Sequence, residues 1–204
     1  AATFIGIENI TGGSAADEFR VLTEESISGI IAGGAGIDRL IGADEDNTWT
    51  LTGINAGTLN DSGFSAIENL SGGSADDAVS VIGSSALLSG RFDGGEINED
   101  SPSVNAINYS QRGQAVSVDL EAKTAAAFTG GYVNLTRFVG SSFTDTLSGP
   151  IAVLDQTAWT ISGLNSGTVD GTAFSGFENL TGQNSTRDAF TITALGSVTG
   201  TLAG

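Results

Sequence analysis

The chain has 204 residues, with 24 acidic and 7 basic side chains and a formal net charge of -17. This excess of carboxylates argues against nucleic acid or an anionic membrane surface as a partner, because both are bound through Lys and Arg. The absence of cysteine and histidine excludes a disulfide framework, thiol chemistry and the commonest general base and transition-metal ligand. No uninterrupted apolar stretch reaches the roughly 18 residues that a membrane-spanning helix needs.

Short strands separated by turns are predicted along the whole chain. Alternation of Val, Ile, Thr and aromatic residues with polar ones predicts strands with one buried face at 49–52, 79–82, 116–120 and 190–193. Glycine makes up 30 of the 204 residues, about twice its usual share, which indicates many tight turns. No segment has a convincing helical period, so the expected fold class is all-β.

Two phrases are repeated within the chain. The first reads FIGIENITGGSAADEFRVL from Phe4, FSAIENLSGGSADDAVSVI from Phe64 and FSGFENLTGQNSTRDAFTI from Phe174. The second precedes two of these copies and aligns Trp49 with Trp159 without a gap. Repetition of this kind is typical of an architecture that stacks similar units.

We therefore predict a right-handed parallel β-helix, or β-solenoid, of short strands joined by Gly, Asn and Asp turns. Residues 1–204 are expected to form one body, with a surface loop inserted at 96–105. Segment 197–204 matches segment 26–33, and the chain opens inside the first phrase, so we expect a fragment of a longer repeat array.

Stacking in register leads to two expectations for particular side chains. Trp49 and Trp159 should occupy equivalent places in two coils. The apolar residues that should point inward are Ile7, Leu70, Val81, Leu180 and Ile192.

A Glu-Asn pair recurs in the three copies of the first phrase, as Glu8-Asn9, Glu68-Asn69 and Glu178-Asn179. Recurring carboxylates could form a saccharide site. The preferred interpretation is structural: Asn at a bend hydrogen-bonds the backbone of the next coil, where polar groups would otherwise be buried unpaired.

One turn carries a known motif. The segment GGAGIDRLI, residues 33–41, matches the nonapeptide G-G-x-G-x-D-x-U-x, in which U is a large apolar residue. On these residues the chain resembles the RTX calcium-binding β-roll family, and its spacer-like phrases resemble giant haemagglutinin-like bacterial surface proteins. The resemblance implies that Asp38 reaches a calcium ion, joined by Asp44 or Asp46 of the acidic run that follows. Because no second intact nonapeptide follows, we expect weak calcium binding at most and no required cofactor.

Catalysis is not expected. The sequence contains no nucleophile elbow, phosphate-binding loop, dinucleotide fingerprint or metal-binding histidine pattern. Polysaccharide lyases also use parallel β-helices, but they need a basic residue near acidic ones, and the seven cations here share no sequence motif.

The expected function is that of a non-catalytic structural and adhesive segment of a large secreted bacterial surface protein. Its partners would be neighbouring repeats of the same chain and cell-surface glycans or matrix, without nucleic acid or a membrane span. The first alternative is a calcium- or carbohydrate-binding module, the second a lyase-like β-helix, and a third class, ice binding, has too few Thr-x-Thr repeats. An extracellular or cell-surface location follows from the same resemblance.

Overall fold

The structure is a computed structural model that describes residues 8–22, 28–96, 103–152, 156–183 and 187–204. Within these ranges every regular element is a β-strand. The described part of the chain has no helix long and apolar enough to cross a membrane. The all-β prediction is therefore confirmed.

Twelve strands form the largest sheet, sheet A. In spatial order they are β1 (Ile10–Thr11), β3 (Ile30–Ala32), β7 (Ser62–Ser65), β6 (Ala56–Leu59), β5 (Asn47–Gly53), β9 (Asp77–Val81), β11 (Ala106–Asn108), β15 (Arg137–Val139), β19 (Thr172–Ser175), β18 (Ser166–Val169), β17 (Gln156–Gly163) and β21 (Arg187–Ile192).

Two sheets of five strands complete the fold. Sheet B has the order β14 (Tyr132–Val133), β10 (Phe92–Asp93), β8 (Asn69–Ser71), β4 (Arg39–Ile41) and β2 (Glu18–Arg20). Sheet C has the order β13 (Thr124–Ala125), β12 (Ser117–Asp119), β16 (Thr146–Ser148), β20 (Asn179–Thr181) and β22 (Leu202–Ala203).

The chain passes from sheet A to sheet B or C and back again, and we call one such passage a coil. Most neighbouring strands are parallel, as in the in-register stack of Phe19, Leu40 and Leu70 in sheet B. Side chains from the facing sheets meet in one core, where the rings of Trp49 in sheet A and Phe92 in sheet B lie 6.4 Å apart. This arrangement is compatible with a β-solenoid.

Two antiparallel meanders interrupt the parallel order of sheet A, which the sequence prediction did not include. Strands β5, β6 and β7 form the first, and β17, β18 and β19 form the second. Their second turns have positive φ at both central residues, Asn60 (45°) and Asp61 (71°) in one and Asp170 (41°) and Gly171 (83°) in the other. A two-residue turn of this type reverses the strand directly, because its twist matches that of the hairpin.

Trp49 and Trp159 occupy equivalent places, as predicted. Each lies in the first strand of a meander and is fully buried. Each ring also meets the Phe of the third strand edge-on, with centroids 6.2 Å apart for Phe64 and 6.0 Å for Phe174. The gapless repeat therefore corresponds to a repeated unit of structure.

The predicted inward positions are mostly confirmed. Leu70, Leu180 and Val81 are at most 1% exposed. The prediction was wrong for Ile192, which is 53% exposed, because its strand β21 is the last in sheet A and has no described strand beyond it. Ile7 lies outside the described residues.

The strand that follows the Glu-Asn pair lies in a different sheet in each copy of the repeated phrase. Ile10 of the first copy is in β1 of sheet A, Leu70 of the second is in β8 of sheet B, and Leu180 of the third is in β20 of sheet C. Equivalent strands of the repeated phrase can therefore occupy different sheets of the stack.

The expected insertion at 96–105 lies only partly within the described residues, because the description omits 97–102. At its borders, the Ser103 hydroxyl donates to the Glu96 carbonyl at 3.0 Å. The two described borders of the segment are therefore joined by a hydrogen bond.

Candidate functional site

The polar side chains of this protein are concentrated in the turns between sheets. In these turns a glycine ends one strand, and an Asp or Asn five or more residues later begins the next. The glycine lies so close to that side chain that a Cβ atom would overlap it. The pairs are Gly12 with Asp17, Gly33 with Asp38, Gly42 with Asn47, Gly72 with Asp77, Gly94 with Asn105, Gly140 with Asp145 and Gly182 with Asp188.

Asp77 shows how such a turn is held together. Its Oδ2 accepts the backbone N–H of Gly73 within the same turn at 3.0 Å, and its Oδ1 accepts Asn47 Nδ2 of the adjacent coil at 2.7 Å. Its own backbone N–H donates to Asn105 Oδ1 of the coil on the other side at 2.9 Å. Asp77 thus joins three consecutive coils.

A second series runs along the opposite edge of the stack. There the backbone N–H of Asp17 donates to Asp38 Oδ1, and the N–H of Asp38 donates to Glu68 Oε2, both at 2.8 Å. We call these two series the turn ladders. In both, backbone N–H groups and amides satisfy carboxylates that the stack has removed from water.

Burial raises the pKa of two turn carboxylates, Asp77 and Asp145. Asp77 is fully buried, and desolvation raises its pKa to about 7, although the bonds from Asn47 and Gly73 oppose the shift. Desolvation also raises the pKa of Asp145, opposed by hydrogen bonds from Val116 and Ser141.

The Asn of each Glu-Asn pair accepts a backbone N–H of the next coil, which confirms the preferred interpretation, and we call this repeated contact the bracket. Glu68 accepts the backbone N–H of Asp38 and Asn55 Nδ2, both at 2.8 Å. Asn69 Oδ1 accepts the backbone N–H of Arg91 in the next coil at 3.1 Å.

The other two copies make matching contacts. Glu178 accepts the backbone N–H of Asp145 at 2.8 Å and Asn165 Nδ2 at 2.9 Å. Asn179 and Asn9 each accept a backbone N–H of the next coil, at 3.1 and 3.0 Å. All three Asn residues therefore bind the backbone of the next coil in the same way.

Asp38, the predicted calcium ligand, is fully buried at the start of β4. Its Oδ2 has no hydrogen-bond partner among the described residues, whereas the equivalent oxygen of Asp77 has one. The backbone of the turn before Asp38 also has its own features: Gly34 has a φ of +101°, and the Ala35 N–H donates to the Gly13 carbonyl of the neighbouring turn at 3.0 Å.

The other two predicted ligands are elsewhere. Asp44 and Asp46 are exposed in the turn that follows β4, so the whole strand separates them from Asp38. Asp46 Oδ1 accepts the backbone N–H of Asp76 at 3.1 Å. The structure does not bring the three residues together, and Asp38 offers one free carboxylate oxygen where calcium takes six to eight ligands.

Sequence reasoning recognised one nonapeptide and the repeated turns of the first phrase, but it did not relate the Asn47 turn to them. The missed signal is an apolar residue two positions after the turn's polar residue, as in Asn47 with Trp49 and Asp77 with Val79. Both apolar members are fully buried in strands that enter the core. Glycine spacing alone was too loose to identify them.

The described residues contain no cluster of three or more acidic side chains arranged to hold a metal ion. No protein-family model matches the chain, and neither a curated protein nor a solved structure is significantly similar to it.

Proposed function

We propose that the chain is a non-catalytic structural and adhesive segment of a large secreted bacterial surface protein, folded as a right-handed parallel β-solenoid. The main support is the repeated bracket, in which Asn9, Asn69 and Asn179 each bind a backbone N–H of the next coil. A coil whose Asn side chain hydrogen-bonds the backbone of the next coil can be added many times, and such an array is suited to form a stalk or rod. We propose a right-handed solenoid because crossover connections between parallel strands of one sheet are right-handed in nearly all proteins.

Neighbouring repeats of the same chain are the first proposed partner. Ile192 aligns with Val81 in the repeat, yet Ile192 is 53% exposed and Val81 is 0% exposed. Val81 lies in β9, which is flanked by β11, while β21 has no described strand beyond it. A further coil stacked on β21 would bury Ile192 in the same way.

Cell-surface glycans or matrix are the second proposed partner, at an extracellular or cell-surface location. The support is indirect: an acidic chain without cysteine presents polar loops along both edges of the stack. Beads coated with the full chain should adhere to surfaces that carry glycans or matrix and should not degrade their polysaccharides. Adhesion equal to that of albumin-coated beads would contradict the proposal, as would release of saccharide products.

A carbohydrate-binding module is the second candidate function. Three of the seven cations, Arg20, Arg39 and Arg91, lie at or beside strands of sheet B although they are separated in sequence. Two of them line a concave region with acidic residues.

A further inference from the structure

A cleft of about 450 Å³ lies on the outer face of sheet B, beside the turns that return to sheet A. Its apolar contribution comes from Ile41, which lines the cleft and is 3% exposed, yet is not part of the core between the sheets. Alternation along β4 explains this, because Leu40 faces the core and Ile41 therefore faces outward.

Two guanidinium groups line the same cleft. The register of β2 with β4 pairs Arg20 with Ile41 and Glu18 with Arg39, so Arg20 and Arg39 are diagonal neighbours on one face. Arg39 Nη2 donates to Ser71 Oγ at 3.1 Å, and its Nη1 lies 3.6 Å from Glu18 Oε2. Arg20 makes no hydrogen bond or ion pair with any described residue, in a chain whose net charge is -17.

Three carboxylates, those of Asp44, Asp93 and Glu96, line the same cleft as these cations. Asp93 Oδ1 accepts Asn134 Nδ2 at 2.8 Å and the Gly95 N–H at 3.1 Å, so this group is held in place. Asp44 and Glu96 are exposed, and their carboxylates make no hydrogen bond with the described residues. The cleft therefore contains free acceptors in Asp44 and Glu96 and a free donor in Arg20.

Part of the cleft surface between these charged side chains is formed by the backbone of glycine residues. Gly72, Gly73 and Gly95 line the cleft and present no side chain to it. Their turns are fixed, because Gly73 donates to Asp77 and the Gly73 carbonyl accepts the Glu96 N–H at 2.8 Å. A ligand would meet a preformed wall, which lowers the ordering cost of binding.

The charges determine which ligand fits. An anion would meet three carboxylates and a cation would meet two guanidinium groups, so neither is favoured. A hydroxyl group both donates and accepts, and it gains charge-assisted hydrogen bonds from a guanidinium on one side and a carboxylate on the other. We propose that the cleft binds a neutral saccharide, with Arg20 and Arg39 donating to its hydroxyls and Asp44 and Glu96 accepting from them.

The volume agrees with this class of ligand. Small-molecule pockets span roughly 300–1,000 Å³, and the cleft is in the lower part of that range, as expected for one or two sugar rings. This inference deepens the proposed adhesive function, on which it rests, by naming a contact site for glycans.

The test is an NMR titration of the ¹⁵N-labelled full chain with neutral mono- and disaccharides. Binding should shift the amide signals of Gly72, Gly73 and Gly95. Arg20→Gln should weaken binding by about tenfold or more, because it removes a charged donor. Arg137→Gln is the matched control: Arg137 is exposed in β15 of sheet A, so its loss should leave binding unchanged.

Several results would overturn the assignment. These are the absence of glycine shifts with every sugar, equal affinity in the Arg20 variant, and binding of glucuronate as tight as that of the neutral sugars. Asp44→Asn and Glu96→Gln serve as a second pair of variants, and each should weaken binding without altering the circular dichroism spectrum. If coated beads adhere but the cleft fails these tests, the cleft assignment alone is rejected. If sugars bind but beads do not adhere, the adhesive function is rejected instead.

Discussion

Asn47 Nδ2 donates to Asp77 Oδ1 at 2.7 Å, and both residues are buried between sheets B and A. Asp77 therefore has a donor for each carboxylate oxygen and yet lies away from water. Burial is the larger effect and raises its pKa to about 7. The folded state consequently holds a proton that the unfolded chain releases at lower pH.

This difference predicts how stability depends on pH. A carboxyl group whose folded pKa is raised from 3.8 to about 7 stabilises the fold fully below pH 4, and this contribution is lost as the pH rises through 7. The loss should approach roughly 4 kcal/mol at most for Asp77. Asp145 acts in the same direction. Urea unfolding measured between pH 4 and pH 8 should therefore show greater stability in acid.

Two variants test whether Asp77 causes this pH dependence of stability. Asp77→Asn should reduce the slope of the pH profile, since one titrating group is gone and only the contribution of Asp145 remains. Asp61→Asn removes one exposed charge in a hairpin turn and should leave the slope unchanged. Equal slopes for the wild type and Asp77→Asn would show that Asp77 is ionised throughout.

Leu70→Ala should lower the free energy of unfolding by about 2–5 kcal/mol. Leu70 is 1% exposed and is stacked in register between Leu40 and Phe92, so truncation leaves a cavity that the two neighbours cannot fill. Ile192→Ala, at a half-exposed position, should cost much less. Denaturant unfolding of both variants decides the matter, and a loss within error for Leu70→Ala would place its side chain outside the core.

Glu68→Ala should cost about 1–3 kcal/mol, because the Asp38 N–H and the Asn55 amide both lose their acceptor. Glu45→Ala, at an exposed carboxylate, should change stability by about 0.5 kcal/mol or less. A double-mutant cycle between Asn55 and Glu68 should show coupling. If Glu68→Ala is as stable as Glu45→Ala but loses saccharide binding, the recurring carboxylates serve a ligand instead.

The fold should persist without calcium. The turn carboxylates accept backbone N–H groups, as in the bonds from Gly13 to Asp17 and from Gly73 to Asp77. In circular dichroism the β spectrum should therefore survive EDTA, and millimolar Ca²⁺ should raise the melting temperature only slightly. Collapse to a coil spectrum in chelator would show that Asp38 and its neighbours depend on the metal.

Local patterns in the sequence predicted much of this fold. The alternation around Trp49 and Trp159 identified strands with one buried face, and their gapless alignment identified equivalent places in sheet A. Such features depend on residues close in sequence, whose side chains alternate between the two faces of a strand. The turns were recognised for the same reason, because Gly, Asn and Asp adopt the required backbone angles wherever they occur.

Long-range pairing was not predictable in this way. The repeat could not reveal that Ile10 stacks in sheet A while its counterpart Leu70 stacks in sheet B. It also could not reveal that β4 places Asp38 and Asp44 at opposite ends of one strand. A single sequence does not show which strands become neighbours.

The sequence by itself determined the all-β class, the turn chemistry and the burial of the repeated aromatic residues, because these follow from neighbours a few positions away. Tertiary structure alone decided the turn ladders and the cleft on sheet B. Asp77 hydrogen-bonds Asn47 and Asn105, and the strand register places Arg20 diagonally beside Arg39, across gaps of about twenty to thirty residues that the stack closes. Parallel pairing sets these distances, and it depends on how the whole chain buries its apolar faces.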